Sequence, residues 1–234
     1  MPQPEPALVT LHVWRVPSRH VPAALSRLVL DRRPLKAVGG LTFAKLLGTG
    51  HGRTFLPGDV NLRQWALLAC WRQAADACVF AGSSVVRRWD RISEERCRVD
   101  LRPLGVRGRW SGREPFGNPP PSPYDGPVAA ITRARIAPRK AASFWRAVPP
   151  VSADLHRADG LRLALGIGEA PIGLQGTFSI WDSAAALRAF AHGRPAHRLA
   201  VRRTAEEGWY AEELFGRFAL LDATGTLDGR SPLW

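Results

Sequence analysis

The sequence predicts an α+β fold, in which two tandem ferredoxin-like units of order β-α-β-β-α-β form an α/β barrel. The first observation is a repeat: the segments 71–81 and 181–191 match at a tryptophan, at three alanines and at a phenylalanine nine residues after the tryptophan. Second, an apolar, strand-like run precedes each segment, so the same strand-to-helix junction occurs twice. Third, a stretch rich in glycine and proline separates the halves and favours neither helix nor strand.

These observations divide the chain into three expected parts. Residues 1–112 form the first ferredoxin-like repeat, residues 113–127 the glycine- and proline-rich linker, and residues 128–234 the second repeat with the proposed site. The linker composition allows the two units to fold separately and then to place their sheets face to face, which would close the barrel.

In the first repeat, alternating apolar residues predict strands, and apolar residues at helical spacing predict helices. Proline and glycine mark the ends, as at Pro34 and at Gly39-Gly40. The closing strand has the weakest pattern, because its segment is rich in arginine. The predicted elements are strand 8–16, helix 22–30, strand 41–47, strand 65–71, helix 73–80 and a strand within 96–107.

The second repeat shows the same order. Its long helical region is interrupted by Gly193 and Pro195, which predicts two helices with the proline in the first turn of the second one. The predicted elements are strand 128–136, helix 140–147, strand 160–168, strand 177–181, a helical region 183–208 and strand 213–223.

Composition excludes several classes of protein. The chain has 33 lysines and arginines against 20 acidic residues, a net charge of +13, and all but three of the basic residues are arginine. The arginines are scattered and accompany no nucleic-acid-binding motif, so no nucleic-acid partner is predicted, only a surface that attracts anions. The three cysteines form no CxxC pair, which argues against a zinc site and against a disulfide framework. No apolar run is long enough to predict a transmembrane segment, and a cytoplasmic location is expected.

His197 is the candidate ligand that the pattern offers. It falls in the first turn of the helix that begins at Pro195, on the same face as Val201 and Thr204. The position 110 residues earlier is Arg87, so this imidazole belongs to the second repeat alone. A histidine on a partly apolar helix face is more often a packing residue, but a neutral imidazole also ligates metals, and one axial histidine suffices for haem. His192 is the alternative ligand.

A family resemblance adds to this interpretation. It rests on the run 176–183 (Gly-Thr-Phe-Ser-Ile-Trp-Asp-Ser), on Phe190-Ala191, on Pro195-Ala-His197-Arg, and on the segment 207–218. These segments resemble the spheroidene monooxygenase family, and the run 39–48 also fits it. The resemblance is strongest over residues 160–225 and continues more weakly across the rest of the chain.

The resemblance implies haem b, molecular oxygen as co-substrate, and oxidation of an unactivated carbon in a carotenoid. The family is similar in architecture to dimeric α/β-barrel haem proteins, which makes His197 the expected axial ligand, with His192 in reserve, and leaves a homo-oligomer open. A haem needs apolar contacts and cationic partners for its propionates. The residues expected to bind the cofactor are therefore His197, Phe190, Val201, Arg194 and Arg198.

The expected function is haem-dependent insertion of oxygen into a small apolar substrate. The sequence does not identify the electron donor, the oxygen-side residues or an acid/base pair. Three alternatives stay open: a haem enzyme of the aldoxime-dehydratase or nitrogen-oxidising type, a non-enzymatic binder of haem or of an apolar ligand, and a cofactor-free monooxygenase barrel.

Overall fold

The computed structural model describes residues 5–53, 57–169 and 174–233, and its first half alternates strands with helices. Ser83 caps a helix that the sequence analysis missed, because its hydroxyl accepts a hydrogen bond from the Val86 amide. The elements of this half are β1 (Leu8–Arg15), α1 (Val21–Leu30), α2 (Arg32–Lys36), β2 (Leu41–Gly50), β3 (Val60–Trp71), α3 (Ala74–Ala81), α4 (Ser84–Ile92) and β4 (Glu95–Gly108).

The second half shows the same kinds of element in the same order. Its first helix continues past Pro149 and Pro150, nine residues beyond the predicted end, because Ser152 and Leu155 are buried in the turns that follow. The elements are β5 (Val128–Ile136), α5 (Ala141–His156), β6 (Leu161–Glu169), β7 (Leu174–Trp181), α6 (Ala184–Gly193), α7 (Pro195–Glu207) and β8 (Tyr210–Gly225).

The fold is a mixed α+β fold built on an antiparallel sheet of eight strands. In the part of the chain that the structure describes, the strands close into a barrel in the order β1-β3-β2-β6-β7-β5-β8-β4. Each half therefore contributes four adjacent strands, and the halves join where β2 pairs with β6 and where β4 pairs with β8. The helices of each half cover the outer face of its own strands.

The barrel interior is filled by side chains. Because successive residues of a strand point to opposite faces, every second residue enters the interior. Val9, Leu11 and Val13 of β1 do so, and they pack in one cluster with Ile131, Phe178 and Phe218 of the second half. No open channel is left along the axis in the described structure, so the interior serves as the hydrophobic core.

One end of the barrel is closed by charges and by the chain that follows β4. The Arg133 guanidinium is 3% exposed and forms ion pairs with Glu212 and Glu169. Glu212 also accepts hydrogen bonds from the amides of Ser111 and Gly112, at 3.0 and 2.7 Å. Although burial acts to raise the pKa of Glu212, these donors and Arg133 lower it below its ordinary value. The Glu212 carboxylate thus fixes the turn at Ser111 and Gly112 over this end of the barrel.

The predicted linker, residues 113–127, contains no helix or strand. It lies along β4, because the Ser122 amide donates to the Leu104 carbonyl at 2.7 Å and the Val106 amide donates to the Pro119 carbonyl at 3.3 Å. Its Phe116 is buried and meets Phe218 edge to face. The connection is therefore packed against the barrel.

Aromatic rings fill the layer between the helices and the strands of the first half. Trp14 of β1 stacks on Trp89 of α4 with ring centroids 5.2 Å apart, and its indole donates to Asp90 at 2.8 Å. His12 stacks on Trp14 from the other side at 5.4 Å. Burial, with a smaller effect from Arg98, lowers the pKa of His12 to about 3, so this imidazole is neutral. We call this region the first layer.

Among the described residues, no helix combines the length and the apolar character that crossing a bilayer requires.

We predict that Trp14→Ala destabilises the protein by about 3–5 kcal/mol, because it removes the stack on Trp89 and leaves a cavity in the first layer. Urea unfolding followed by circular dichroism measures the change. Val79→Ala is the control: Val79 is 78% exposed, so its loss should change stability by less than about 0.5 kcal/mol. Equal stabilities of the two variants would contradict the role given to the stack.

Candidate functional site

His197 lies in the first turn of α7, and its ring is oriented by the end of α6. Its Nδ1 is 2.8 Å from the Ala191 carbonyl oxygen. A carbonyl only accepts, so Nδ1 carries the hydrogen and Nε2 keeps a lone pair. Burial lowers the pKa of His197 below its ordinary value, and the hydrogen bond to Ala191 opposes this only in part. The residue is thus a neutral imidazole with its tautomer fixed, the form that ligates a metal.

Phe190 connects His197 to the sheet. Its ring centroid is 5.0 Å from that of His197 and 5.3 Å from that of Trp181 on β7. Trp181 is fully buried, and its indole donates to the Ser179 hydroxyl at 2.9 Å. The chain of contacts from β7 through α6 to α7 fixes the position of the imidazole relative to the strands.

The other end of α7 is anchored by a second set of contacts. Arg203 donates to Glu207 at 2.8 Å and to the Ser143 hydroxyl of α5 at 3.0 Å. The Trp209 indole donates to Glu207 at 3.0 Å. Hydrogen bonds from Ser143, Arg203 and Trp209 lower the pKa of Glu207 to about 2, so it stays ionised. The helix is therefore held at both ends, against α6 and against α5.

The remaining predicted site residues lie around His197 but are more exposed. Arg194 is the residue before α7, and it donates to the Arg157 carbonyl at 3.3 Å. Arg198 and His192 are exposed, and Val201 is 56% exposed. The structure thus brings His197 and Phe190 together, leaves Arg194 half-buried, and exposes His192, Arg198 and Val201 to solvent.

The strands beneath α7 differ from their counterparts in the first half. Leu8 pairs with Trp71 and Val128 pairs with Trp181, so β1 and β5 can be compared residue by residue from these pairs. On the helix-facing side, Thr132 then takes the place of His12. In the same way, Ala134 takes the place of Trp14.

The neighbouring strands show the same loss of bulk. Leu67 of β3 pairs with His12, whereas its counterpart Thr177 of β7 pairs with Thr132. On the next strand, Leu46 faces Leu67, while Gly166 faces Thr177. Small residues thus replace a histidine, a tryptophan and a leucine on the sheet, whereas the space beside Gly166 is taken by the backbone of Gly50 and Gly52.

The covering helix also differs. α4 buries Val85, Val86 and Trp89, whereas none of the side chains of α7 is buried. When the two helices are aligned at their first residues, His197 takes the place of Val86 and Ala200 that of Trp89. The Trp14–Trp89 stack of the first half therefore corresponds to two alanines, with an imidazole beside them.

We call the region between β5–β8 and α5–α7 the second layer. Methyl and hydroxyl groups line its sheet side, and His197 lies on its helix side. Thr132 and Thr177 are half-buried, whereas their counterparts in the first layer, His12 and Leu67, are buried. The region is thus less filled than the first layer. The methyl groups of the sheet side and the single imidazole are groups that a flat apolar molecule held by one nitrogen ligand would contact.

Neither the cavities nor the acidic residues indicate another site. An open cleft of about 410 Å³ lies at the end of α4, with Glu94 and Glu95 among its lining residues, and a void of about 160 Å³ lies beside Trp110 at the barrel end. Across the described ranges, no three histidine, cysteine or carboxylate side chains are grouped as a metal site would require. A metal bound here would thus rely on a cofactor for its other ligands.

The sequence analysis proposed His197 as a ligand, which stays a prediction, and it missed the small residues on the sheet side of the second layer. The available signal was the difference between the repeats at positions such as Trp14 and Ala134. It could be read only after the pairing register of β1 and β5 was known, because these strands share no sequence match of their own.

Comparisons with known proteins were made for the whole chain. No family model matches it. The spheroidene monooxygenase of Rhodobacter capsulatus is 42% identical over 217 residues, which cover 91% of this chain and 89% of the relative. That of Rubrivivax gelatinosus is 41% identical over 206 residues, 87% of this chain and 78% of the relative.

Among solved structures, an aldoxime dehydratase in complex with butyraldoxime superposes with a TM-score of 0.63, over 92% of this chain and 79% of the other. A second aldoxime dehydratase structure gives 0.61, over 92% and 81%. Both are 12% identical to this chain, so they show a shared fold and nothing about the reaction.

We predict that His197 couples stability to pH. Because burial lowers its pKa in the folded state, its contribution is complete above the ordinary histidine pKa of about 6.5 and is lost as the pH falls below that value. Acidification should therefore destabilise the wild type more than His197→Asn, so their unfolding free energies should approach each other. The charged neighbours that act on His197 are His192 and Asp154.

Urea unfolding at a series of pH values from about 7 to about 5 measures this difference. His51→Asn is the control, since it removes an exposed histidine that is not among the neighbours acting on His197. Parallel curves for the wild type and His197→Asn would show that the imidazole is not kept neutral by the fold.

Proposed function

This chain belongs to the spheroidene monooxygenase family, and from that premise we propose that it is a haem-dependent monooxygenase whose haem b is ligated by His197. Its relatives make it an oxidoreductase of the oxygenase class. The observation that carries the finer proposal is the combination of an imidazole on α7, oriented by the Ala191 carbonyl, with small residues on β5 and β7 where the first half has His12, Trp14 and Leu67.

The residues present fit a haem. A porphyrin is flat and apolar, so it needs a wide layer with apolar walls and one strong axial base. Ala134 and Ala200 stand at the positions where the first layer has the stacked Trp14 and Trp89. The second layer therefore lacks the two large rings that the first layer holds there. The free nitrogen Nε2 of His197 supplies the base.

The chain's own residues have distinct roles in this proposal. The Ala191 carbonyl holds the Nδ1 hydrogen and so aims Nε2. Phe190 packs against the imidazole and keeps water from its face. Arg194 and Arg198, nearer the solvent, are placed to pair with the propionates, and Val201 lies one turn beyond His197 at the outer edge.

His197 is preferred to His192 on geometry. His192 is exposed near the end of α6, and in the described structure its ring has no hydrogen-bonded partner that fixes a tautomer. A ligating histidine is almost always oriented by such a partner. His192 therefore stays the reserve ligand, to be tested beside His197.

Haem bound in the second layer would supply the activation of molecular oxygen. The protein's part is to exclude water, to orient the axial base and to hold an apolar substrate on the sheet side. There the wall consists of alanine methyl groups with the Thr132 and Thr177 hydroxyls. Because the curated relatives are named for spheroidene, we infer that the substrate is a carotenoid and that oxygen is the co-substrate. An external electron donor is also required.

We further propose that the halves are two ferredoxin-like units, over residues 1–112 and 128–234, joined by residues 113–127. Support comes from the shared order β-α-β-β-α-β and from the shared spatial order, with the fourth strand beside the first, then the third and the second. The cytoplasmic location and a homo-oligomeric state stay predictions of the sequence.

We predict that the purified protein, expressed with a haem precursor, shows a Soret band that His197→Ala abolishes and His192→Ala retains. Loss of an axial ligand should lower haem occupancy by more than the ten- to hundredfold typical of losing an orienting partner. Absorption spectroscopy and haem content per chain measure it. A colourless wild type, or loss of the band in His192→Ala alone, would contradict the assignment.

The second layer can be tested separately by filling it. Ala134→Trp introduces the residue that the first half has at the matching position, and it should lower haem occupancy by at least about tenfold while the fold stays intact by circular dichroism. Ala205→Trp, on the exposed side of α7, is the matched control and should keep the haem.

We predict that spheroidene supplied with a reductant and isotopically labelled dioxygen is converted to a product that contains the label, and that no product forms without oxygen. Mass spectrometry of the product decides this. His197→Ala is the inactive control. Turnover of butyraldoxime to a nitrile in the absence of oxygen, together with no labelled product, would instead assign the chain to dehydratase chemistry.

A further inference from the structure

The outer surface of α6 and α7 combines positive charge with exposed apolar side chains. We call it the α6–α7 surface and define it by the exposed residues Arg188, His192, Arg198, Leu199, Val201 and Arg202. Leu199 is 45% exposed and Val201 is 56% exposed. Both are large apolar residues with arginines next to them in the sequence.

The charge of this surface is one-sided. Residues 183–205 contain five arginines and two histidines and no aspartate or glutamate. Asp182 before this segment pairs with Arg162, and Glu206 after it is 3.7 Å from Arg202 in an exposed pair. Exposed pairs of that kind contribute little and are screened by salt. The surface therefore presents a net positive field to an approaching partner.

The arrangement of α7 suits the surface of a bilayer. A helix that lies in the interface carries arginines whose charged ends reach the headgroups while apolar side chains enter the acyl boundary. α7 buries no side chain within its own fold, in contrast to α4, so its apolar residues are available to an outside medium. Each arginine near an anionic leaflet adds to the affinity.

We propose that the α6–α7 surface docks on an anionic lipid bilayer and thereby places the second layer next to the membrane. This rests on the proposed function, because an apolar substrate such as a carotenoid dissolves in the acyl region and would reach the site from there. Phe190 and His197, which belong to α6 and α7, are in contact with each other, so the docking surface and the proposed ligand share the same two helices.

A second exposed apolar group offers an internal comparison. Leu25, Val29 and Leu30 of α1 are exposed at 44%, 66% and 66%, with Arg32 and Arg33 following them. This group covers the first layer, which is filled by the Trp14–Trp89 stack and has no room to receive a substrate. Delivery of a substrate therefore favours α6–α7 even though α1 exposes more apolar surface.

The test is co-sedimentation of the full chain with vesicles of equal parts phosphatidylcholine and phosphatidylglycerol. The wild type should bind these vesicles, bind weakly to pure phosphatidylcholine, and dissociate at high salt. The variant Arg188→Gln/Leu199→Ser/Arg202→Gln should partition roughly ten- to thirtyfold less. The matched control, Arg33→Gln/Val29→Ser/Arg32→Gln on α1, should bind as the wild type does.

Loss of binding in the α1 control with retention in the α6–α7 variant would overturn the proposal, as would equal binding by all three proteins. Absence of vesicle binding together with a concentration-dependent oligomer that the α6–α7 variant abolishes would assign the surface to a second copy of the chain. Haem content, measured on the same samples, separates the two proposals. A protein that contains haem but does not bind vesicles would overturn the docking surface alone. A protein that binds vesicles but contains no haem would overturn the haem assignment alone.

Discussion

The filled barrel interior is the constraint on which the rest of the structure depends. Side chains from all eight strands meet inside, so the closed sheet provides a core and leaves no room there for a large ligand in the described structure. A ligand of that size would have to bind outside the barrel interior. The first layer is occupied by Trp14, Trp89 and His12, so the proposal places the haem in the second layer.

Because α7 buries none of its own side chains, it has to be held in another way. At the start of the helix, His197 is hydrogen-bonded to the Ala191 carbonyl. At its end, Arg203 donates hydrogen bonds to Glu207 and to the Ser143 hydroxyl of α5. Its centre contributes Ala200, where a buried tryptophan stands in the first half. Anchored ends and a small centre allow a ligand to replace the missing packing without unfolding the helix, and stability would then rise when the ligand binds.

Most elements could be predicted from the sequence, because alternation, helical spacing and the Trp71/Trp181 repeat are local signals. The role of His197 as a ligand stays a prediction. The α4 helix and β4 were harder, since the arginines on their exposed sides interrupt the apolar pattern. The wall of the second layer could not be found at all by local pattern. Ala134 and Thr132 are ordinary strand residues until pairing shows that they stand where Trp14 and His12 stand in the other half. The family resemblance, which the relatives confirm, supplied the chemistry that these positions alone do not indicate.

The shared barrel explains how smaller residues are tolerated in the second layer. Removing a stacked tryptophan pair from a domain costs several kcal/mol, a large part of the stability of a domain. Here the halves share one barrel core and two strand junctions, β2 with β6 and β4 with β8, so the well-packed first half also supports the strands of the second. Local rules of packing are broken where a ligand is to bind and are kept elsewhere, which is the pattern expected of a functional site. The asymmetry between the two repeats, more than the histidine by itself, is therefore the reason to place the chemistry in the second half.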